Sequence, residues 1–395
     1  MLGISLIFLR KNVVTMNLEI FLTNTCNMKC SFCGAWNQEE AKEAIDFEKL
    51  KKIIKDSSEK GYRYISFSGG EPLNYKLIYE AIEYANNLGF FINITTNGLL
   101  IDKEFVKKVR SKNVNTRISF HSLKEDLFNK ITDTKSFNKV KESIELLKNE
   151  KVNFSIGSTI FKDNIDEVQD LSKFALDSGA KYIRFTPVYK VYKGRNFEID
   201  NNFFEELLTE IVTFGLKNKK NLNYRKGPSL YLADFMKGIL TKQCSAGSDY
   251  YIAINPDLNI VACPVLPHYS EYYSEKYDSF DNIENLKNNY RNLLDKNISY
   301  KLQGMCGECV YKSSCKGGCL STKLENGLKL EDEQPICIKN IVDNVLKKFS
   351  LKDNEEILHY WKYQCNKKII YKDNSMTCIR RLPIWELHFN NKYSY

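Results

Sequence analysis

Three cysteines lie close together near the start of the chain, in the spacing Cys-x3-Cys-x2-Cys at Cys26, Cys30 and Cys33. Three thiolates on one short loop can ligate three corners of a [4Fe–4S] cluster and leave the fourth iron without a protein ligand. A structural zinc site is the alternative, but such a site takes four ligands, and no histidine lies in this loop. The spacing therefore favours a cluster whose open iron can bind a substrate or a cofactor.

Seven further cysteines form a second group between residues 244 and 337. They are Cys244, Cys263, Cys306, Cys309, Cys315, Cys319 and Cys337. The chain carries no recognisable export signal, and a cytosol keeps thiols reduced, so this clustering indicates metal binding rather than disulfides. Iron–sulfur clusters fit the group, and one or two zinc ribbons are the alternative because Cys-x2-Cys pairs also suit zinc.

Polar motifs follow several of the predicted strands at the point where each strand ends. Gly69, Gly70 and Glu71 belong to a Ser-Gly-Gly-Glu-Pro turn after the second strand. Two glycines let a backbone approach a ligand closely, and the Glu71 carboxylate can accept hydrogen bonds from an ammonium group. Asn97 lies in a Thr-Asn-Gly turn after the third strand, and Ser119 ends the fourth.

Residues 18–220 alternate short apolar runs with amphipathic, helix-like stretches. The six apolar runs are Leu18–Thr23, Tyr64–Ser68, Phe90–Thr95, Thr116–His121, Asn153–Ile160 and Tyr182–Pro187. The amphipathic stretches lie near 47–60, 75–88, 102–112, 137–150 and 164–178, with another after residue 201. A repeat of about 30 residues is that of the βαβ unit, which builds a parallel sheet. Six units fall short of a full barrel, so we predict an α/β fold with a partial, TIM-like (β/α)6 barrel and chemistry at the carboxyl ends of its strands.

The remaining segments divide the chain further. Residues 1–16 are interpreted as an N-terminal extension with a mis-assigned start, and an edge strand or helix is the alternative. We predict the barrel over 17–220, a connector over 221–243, a small Cys-rich α+β domain over 244–349, and a C-terminal tail over 350–395 without clear periodicity.

Composition and charge limit the partners that we expect. The 395 residues, 43% of them hydrophobic, are enough for more than one domain. The net charge of +9 is compatible with an acidic partner or with nucleic acid. No Arg-rich or basic–aromatic segment supports nucleic acid, so we interpret the charge as a solvated surface. The first apolar run, Leu2–Leu9, is far shorter than the ~20 residues that span a bilayer, so we expect a cytoplasmic protein without a membrane segment.

The first cysteine group, with Phe32 directly before its last cysteine, resembles the signature of the radical SAM superfamily. That resemblance implies that the open iron chelates the amino and carboxylate groups of S-adenosylmethionine. One electron from the cluster then cleaves the sulfonium and releases a 5′-deoxyadenosyl radical, which abstracts a hydrogen atom from the substrate. The protein positions the reacting atoms and excludes water, while the cofactor carries the difficult chemistry.

The same resemblance assigns S-adenosylmethionine contacts to the motifs at the strand ends. Gly69, Gly70 and Glu71 match the element that holds the methionine amino group, and Asn97 lies in the family's Thr-Asn-Gly turn. Phe32 belongs to the cofactor-binding loop by its place in the signature.

Four further positions carry weaker assignments from the resemblance. Ser119 is implied near the ribose, where His121 replaces the aspartate that is common in relatives. Thr132 is implied near the carboxylate of S-adenosylmethionine. Val188 is implied beside the adenine, with ordinary packing at the barrel rim as the alternative.

The second cysteine group resembles the SPASM extension of radical SAM enzymes, which implies two auxiliary [4Fe–4S] clusters. The distal cluster would be held by Cys306, Cys309, Cys315 and Cys337. The proximal cluster would be held by Cys244, Cys263 and Cys319, and its fourth ligand would be absent or supplied by Cys365 or Cys378. One departure is Leu258, where this family usually has glycine.

The SPASM resemblance implies anaerobic modification of a ribosomally made peptide, by a thioether or carbon–carbon crosslink or by epimerisation. Cys365 and Cys378 are candidate hydrogen-atom donors in an epimerase, and inert tail thiols are the alternative. An electron donor such as flavodoxin or ferredoxin is expected. No leader-binding domain fits before residue 18, so we expect the leader to be bound by a separate leader-binding protein, by the C-terminal tail or by the surface of the Cys-rich domain.

Three other functions stay open. An anaerobic sulfatase-type maturase would carry a further cysteine and an aspartate where this chain has Tyr250 and Pro264. A small-molecule dehydrogenase, such as one that acts on a sugar alcohol, usually has a truncated extension. A non-catalytic iron–sulfur electron carrier would need neither the Gly-Gly-Glu-Pro turn nor a half-open cluster.

Overall fold

The computed structural model describes residues 17–34, 43–188, 192–218, 251–263, 273–293, 301–309, 312–349 and 385–388. The strands in these ranges are β1 (Asn17–Thr23), β2 (Tyr64–Gly69), β3 (Phe91–Thr96), β4 (Val114–Ser119), β5 (Phe154–Ile160), β6 (Tyr182–Pro187), β7 (Tyr251–Ile254), β8 (Asn259–Val261), β9 (Tyr273–Lys276) and β10 (Trp385–His388). The α-helices in these ranges are α1 (Phe47–Glu59), α2 (Ile78–Asn87), α3 (Lys103–Val109), α4 (Glu125–Thr132), α5 (Phe137–Asn149), α6 (Val168–Asp177), α7 (Asn201–Lys217), α8 (Phe280–Asn292), α9 (Gly304–Glu308), α10 (Lys312–Cys315), α11 (Leu320–Glu325) and α12 (Ile338–Lys348).

Strands β1 to β6 lie side by side in chain order, and each pairs in parallel with the next. Helices lie between successive strands, as a series of βα units requires. The predicted α/β fold with a partial (β/α)6 barrel is therefore confirmed.

The sheet continues beyond β1 on one side. Strand β7 pairs in parallel with β1, from Asn17 opposite Tyr251 to Ile20 opposite Ile254. Strands β7, β8 and β9 then form an antiparallel meander. The Cys-rich region thus adds its strands to the barrel sheet instead of forming a sheet of its own.

The opposite edge of the sheet is covered by the C-terminal tail. Strand β10 pairs antiparallel with β6, with Trp385 opposite Phe185 and His388 opposite Tyr182. The lack of clear periodicity in the tail did not predict this strand. A strand of four residues is shorter than the window over which periodicity becomes visible, which is about 11 residues.

Helix α1 shows how the outer layer forms. The Asp46 side chain caps the helix by accepting a hydrogen bond from the Lys49 N–H. The buried residues of α1 recur every three or four positions on one face, and they are Leu50, Ile53, Ile54 and Ser57. This face packs with outward side chains of β1, including Leu18 and Ile20, in the main hydrophobic core.

The inner face of the barrel is polar at its middle layer. The Asn115 side chain donates to Asn93 Oδ1 at 2.8 Å and to Ser155 Oγ at 3.0 Å. Asn93 in turn donates to Ser66 Oγ at 3.1 Å. Four neighbouring strands are therefore joined through their side chains below the carboxyl edge of the sheet.

Helices of the C-terminal region pack on the outside of the barrel. Helix α12 lies against α7, and the Tyr277 hydroxyl ahead of α8 donates to Asp56 of α1 at 2.7 Å. Within the described ranges, no helix is both long and apolar enough to cross a bilayer.

Candidate active site

The loop that carries the first cysteine group leaves β1 at the carboxyl edge of the sheet and rests on the end of α4. The Lys29 N–H donates to Thr132 O at 3.3 Å, and the Ser31 N–H donates to Ile131 O at 2.8 Å. Orphan carbonyls at a helix terminus are natural acceptors for a loop. Because these bonds involve the backbone, they do not depend on the side chains of Lys29 and Ser31.

Two hydrogen bonds reach the first sulfur of the loop. The Met28 N–H donates to Cys26 Sγ at 3.4 Å, and Asn97 Nδ2 donates to it at 3.8 Å. Donors to sulfur are a feature by which proteins tune thiolate-bound iron. Asn97 Nδ2 also donates to Asn27 Oδ1 at 2.6 Å, so the Thr-Asn-Gly turn is attached to the cysteine loop.

Burial shapes the acidity of these thiols. It raises the pKa of Cys26 to about 11, and it raises the pKa of Cys30 further above its ordinary range. The neighbouring thiols of the loop act in the same direction, so these sulfurs lie near one another. Any metal group that binds them must therefore displace protons.

The donor set of this loop fits an iron–sulfur cluster. Three partly buried thiols on one loop, with N–H groups directed at the first sulfur, are typical of such sites. Among the described residues, no three or more cysteine, histidine or acidic side chains are arranged to hold a single metal ion.

The Ser-Gly-Gly-Glu-Pro turn lies directly against the start of the cysteine loop. The Gly70 N–H donates to Thr23 O at 2.7 Å, and the Glu71 N–H donates to Thr25 O at 2.8 Å. A Cβ atom at Gly69 would lie 2.3 Å from Thr23 O, and one at Gly70 would lie 2.2 Å from Thr25 O. The close approach that requires these glycines is therefore to the backbone of the neighbouring loop.

Glu71 links this turn to the next one. Its Oε1 accepts from Thr96 Oγ1 at 2.7 Å and from the Leu73 N–H at 3.0 Å, and its Oε2 accepts from the Asn97 N–H at 2.7 Å. The carboxyl is almost fully buried, and burial raises its pKa from 4.5 to about 7 although the hydrogen bonds oppose this. Thr96, which precedes Asn97 in the same motif, was not among the predicted site residues.

His121 supports the cysteine loop from below. Its ring lies edge-on to Phe32 with centroids 4.7 Å apart, and its Nδ1 accepts from the Thr159 N–H at 3.0 Å. Burial lowers its pKa to about 3, so the imidazole is neutral and carries its proton on Nε2. Phe32 also stacks on Phe161, with centroids 6.0 Å apart.

The three residues with weaker predicted contacts differ in their burial and in their neighbours. Ser119 is half-buried at the carboxyl end of β4. Thr132 is fully buried, and its hydroxyl donates to Phe128 O at 2.8 Å, so its geometry favours a role in holding the loop. Val188 is buried in the cluster that contains Phe161, which favours packing at the rim.

The second cysteine group is brought together in part. Burial and then the thiols of Cys306, Cys337 and Cys309 raise the pKa of Cys315, so these four side chains lie near one another. They are the set predicted for the distal cluster. Cys263 and Cys319 are partly buried. Three predicted positions, Cys244, Cys365 and Cys378, lie outside the described residues.

The turn after β7 keeps its shape despite its unusual residue. Leu258 has a φ of +69°, in the left-handed region that glycine favours. Its N–H donates to Asn255 O at 2.9 Å, and its carbonyl accepts from the Tyr277 N–H at 2.7 Å. The departure from glycine at this position therefore changes the strain of the turn and not its conformation.

Comparison with known proteins gives one domain match and several relatives. The model of the radical SAM superfamily matches residues 20–175. GTP 3′,8-cyclase of Clostridium perfringens (strain 13 / Type A) is 28% identical over 227 residues, which cover 55% of this chain and 68% of that protein. AdoMet-dependent heme synthase of Methanosarcina barkeri is 24% identical over 338 residues, which cover 80% of this chain and 94% of that protein.

A solved structure resembles the fold over most of the chain. Streptococcus suis SuiB bound to its precursor peptide SuiA superposes with a TM-score of 0.66 at 18% identity, over 82% of this chain and 75% of that one. This likeness extends well beyond the matched domain.

Proposed function

We propose that this enzyme, whose residues 20–175 form a radical SAM domain, modifies a ribosomally made peptide. Cys26, Cys30 and Cys33 would hold a [4Fe–4S] cluster beside S-adenosylmethionine. When bound, that pair supplies a radical able to abstract a hydrogen atom from an unactivated carbon. The chain's own residues bind, orient and shield the reactants.

Glu71 offers an acceptor where β2 and β3 end. Three donors from the described residues already bond its carboxylate, which has about four acceptor positions. The remaining position suits the ammonium group of an amino acid. Since burial favours the neutral carboxyl and a nearby cation favours the charged form, binding of such an ammonium releases a proton.

Phe32, His121 and Phe161 close one side of the cysteine loop with apolar rings. This packing keeps water away from the sulfurs and strengthens electrostatic interactions at the site. The neutral His121 ring adds no charge beneath the loop.

The barrel interior favours a polar substrate group that enters from the carboxyl edge. The hydrogen-bonded Asn93–Asn115 layer closes the interior below. Arg117 lies on the same face of β4 two residues further along, and its Nη2 donates to Thr95 Oγ1 at 2.7 Å. Gly157 leaves room for it, since a Cβ there would lie 3.3 Å from Arg117 Cδ.

The observation that carries the peptide assignment is the second thiol group. Cys306, Cys309, Cys315 and Cys337 lie together, in a region that lies beyond the matched domain and that the SPASM resemblance assigns to an auxiliary cluster. The likeness to peptide-bound SuiB supports this proposal because it covers 82% of the chain. An auxiliary cluster would accept the electron that a substrate radical loses. An electron donor such as flavodoxin or ferredoxin would supply the electron that cleaves S-adenosylmethionine.

A small-molecule substrate is the second candidate. The heme synthase match favours it, because that similarity spans 94% of the relative. The match to the cyclase covers 55% of this chain. The positions that would distinguish a sulfatase-type maturase, Tyr250 and Pro264, lie outside the described residues.

The first test is formation of 5′-deoxyadenosine by the anaerobically reconstituted chain with S-adenosylmethionine and dithionite. We expect Cys30→Ala to abolish it. Ser31→Ala is the matched control, because its backbone bond to Ile131 survives. A non-catalytic electron carrier would release no 5′-deoxyadenosine from any variant.

The second test separates the substrates. Peptides encoded beside the gene are incubated with the enzyme and analysed by mass spectrometry. A crosslink removes two hydrogens, whereas epimerisation leaves the mass unchanged. Epimerisation is therefore detected by running the reaction in deuterated water, where the inverted α-carbon takes up deuterium. We expect Cys309→Ala to release 5′-deoxyadenosine without modifying the peptide. Modification by Cys309→Ala at the wild-type rate would contradict the proposal.

A further inference from the structure

Lys323 is a lysine buried inside the Cys-rich region. Its side chain has no exposed surface, although a lysine is almost never fully buried unless it is paired. It belongs to α11, which begins directly after Cys319, and its backbone N–H donates to Cys319 O at 3.2 Å. The helix therefore fixes this side chain relative to a cysteine of the second group.

The ammonium of Lys323 lies beneath the turn that joins Cys315 to Cys319. A Cβ atom placed on Gly317 would lie 2.6 Å from Lys323 Nζ. Gly317 and Gly318 both have positive φ values, +76° and +86°, so this turn depends on glycine. The turn therefore passes close to the ammonium group of Lys323.

The partners of this ammonium do not balance its charge. Nζ donates to Leu330 O at 2.7 Å, and a neutral carbonyl satisfies one of three donors. Among the described residues, Lys323 forms no ion pair with a carboxylate, whereas the other fully buried lysine, Lys287, pairs with Glu284 at 2.7 Å. Burying an uncompensated charge is costly.

Burial lowers the pKa of Lys323. Its Nζ lies against the turn that begins at Cys315, one of the four proposed distal ligands. The thiolates of a bound cluster would supply the negative charge that this ammonium lacks. A cluster held by four thiolates carries net negative charge, and its reduction potential depends on the charges around it.

We propose that Lys323 is the buried counter-charge of the distal auxiliary cluster, which it stabilises in the reduced form. The inference rests on the proposed function, since it requires that cluster. One electron added to the cluster increases its negative charge, and the adjacent ammonium favours that state. Removing the cation therefore makes the cluster harder to reduce.

The test is an anaerobic redox titration of the reconstituted full chain, followed by electron paramagnetic resonance. The distal signal is the one that disappears in Cys309→Ala. We expect Lys323→Met to lower the ratio of reduced to oxidised distal cluster at least tenfold at a fixed potential, a shift of about 59 mV for one electron. Lys323→Arg, which keeps the charge, and Lys329→Met, at an exposed position, should stay near wild type.

The iron content of each reconstituted variant is measured as the second part of the test. Loss of the distal cluster in Lys323→Met but not in Lys323→Arg would also support a counter-charge. A wild-type potential in Lys323→Met, or equal loss of the cluster in both variants, would overturn it. Unchanged iron content in Cys309→Ala would instead remove the auxiliary cluster from the proposed function.

Discussion

At the scale of single residues, Glu71 shows how burial and hydrogen bonding compete. Three donors favour its charged form, yet burial outweighs them and places the pKa at about 7. The carboxyl is therefore held near the point where it can change charge at neutral pH. That property suits a group that must meet a cation and then release it.

Glu71→Gln should remove a pH-dependent contribution to the free energy of unfolding. Glu71 binds its proton more tightly in the folded chain than in the unfolded chain. Its contribution to the free energy of unfolding is therefore complete below pH 4.5 and is lost as the pH rises to about 7. The loss is at most about 3 kcal/mol. Urea unfolding between pH 4.5 and 8, without S-adenosylmethionine, should show a flatter profile for Glu71→Gln. Glu104→Gln, at an exposed site of α3, should keep the wild-type slope.

Residue types did not reveal what each residue of the predicted site contacts. The two glycines were interpreted as room for a ligand, but the backbone atoms Thr23 O and Thr25 O occupy that space. Leu258 stands where the family usually has glycine, and it adopts a glycine-like conformation. Both outcomes depend on neighbours that are distant in sequence or on tolerance of strain, which spacing alone does not reveal.

At the scale of elements, the cysteine loop is held between two neighbours. The end of α4 holds it through backbone bonds on one side, and the Gly69–Gly70 turn holds its start on the other. The periodic pattern did not predict α4, because it has only eight residues and no side-chain cap. Strands β1 to β6 and helices α1, α2, α3, α5, α6 and α7 were predicted because each buries a regular stripe of apolar residues.

Gly70→Ala should damage the site by forcing these two segments apart. The added Cβ meets backbone atoms at 2.2 Å and 2.6 Å, which cannot rotate away, so we expect about 3 kcal/mol of destabilisation. We also expect the variant to bind less iron on reconstitution. Gly179→Ala is the control, because its φ of +78° is strained but nothing lies within 4 Å, a cost of about 1–2 kcal/mol. Equal losses in the two variants would show that contact with the loop is unimportant.

At the scale of the whole molecule, the sheet is extended at both edges by strands that follow the barrel in the sequence. β7 covers β1, and β10 covers β6. Unpaired edges of a sheet invite association with other chains. Neither pairing follows from the local pattern, because the partners are separated by about 200 residues or more and loop length does not specify the contact.

Deleting residues 385–395 should uncover the edge of β6. Loss of the β10 ladder removes several backbone hydrogen bonds, so we expect a cost of roughly 2–4 kcal/mol and more light scattering on heating. Deleting residues 389–395 keeps β10 and serves as the control. The proposed role of β10 fails if both truncated chains unfold at the same temperature.

The ladder between Asn17–Ile20 and Tyr251–Ile254 has a kinetic consequence. The same strand, β1, leads into Cys26 at its end and is paired along its side to the hairpin that leads into Cys263. Under the proposed function, an electron would pass between clusters held at these two sulfurs, and the sheet would set the distance that it crosses. Substrate arrival would then alter the driving force for that transfer and leave its distance unchanged.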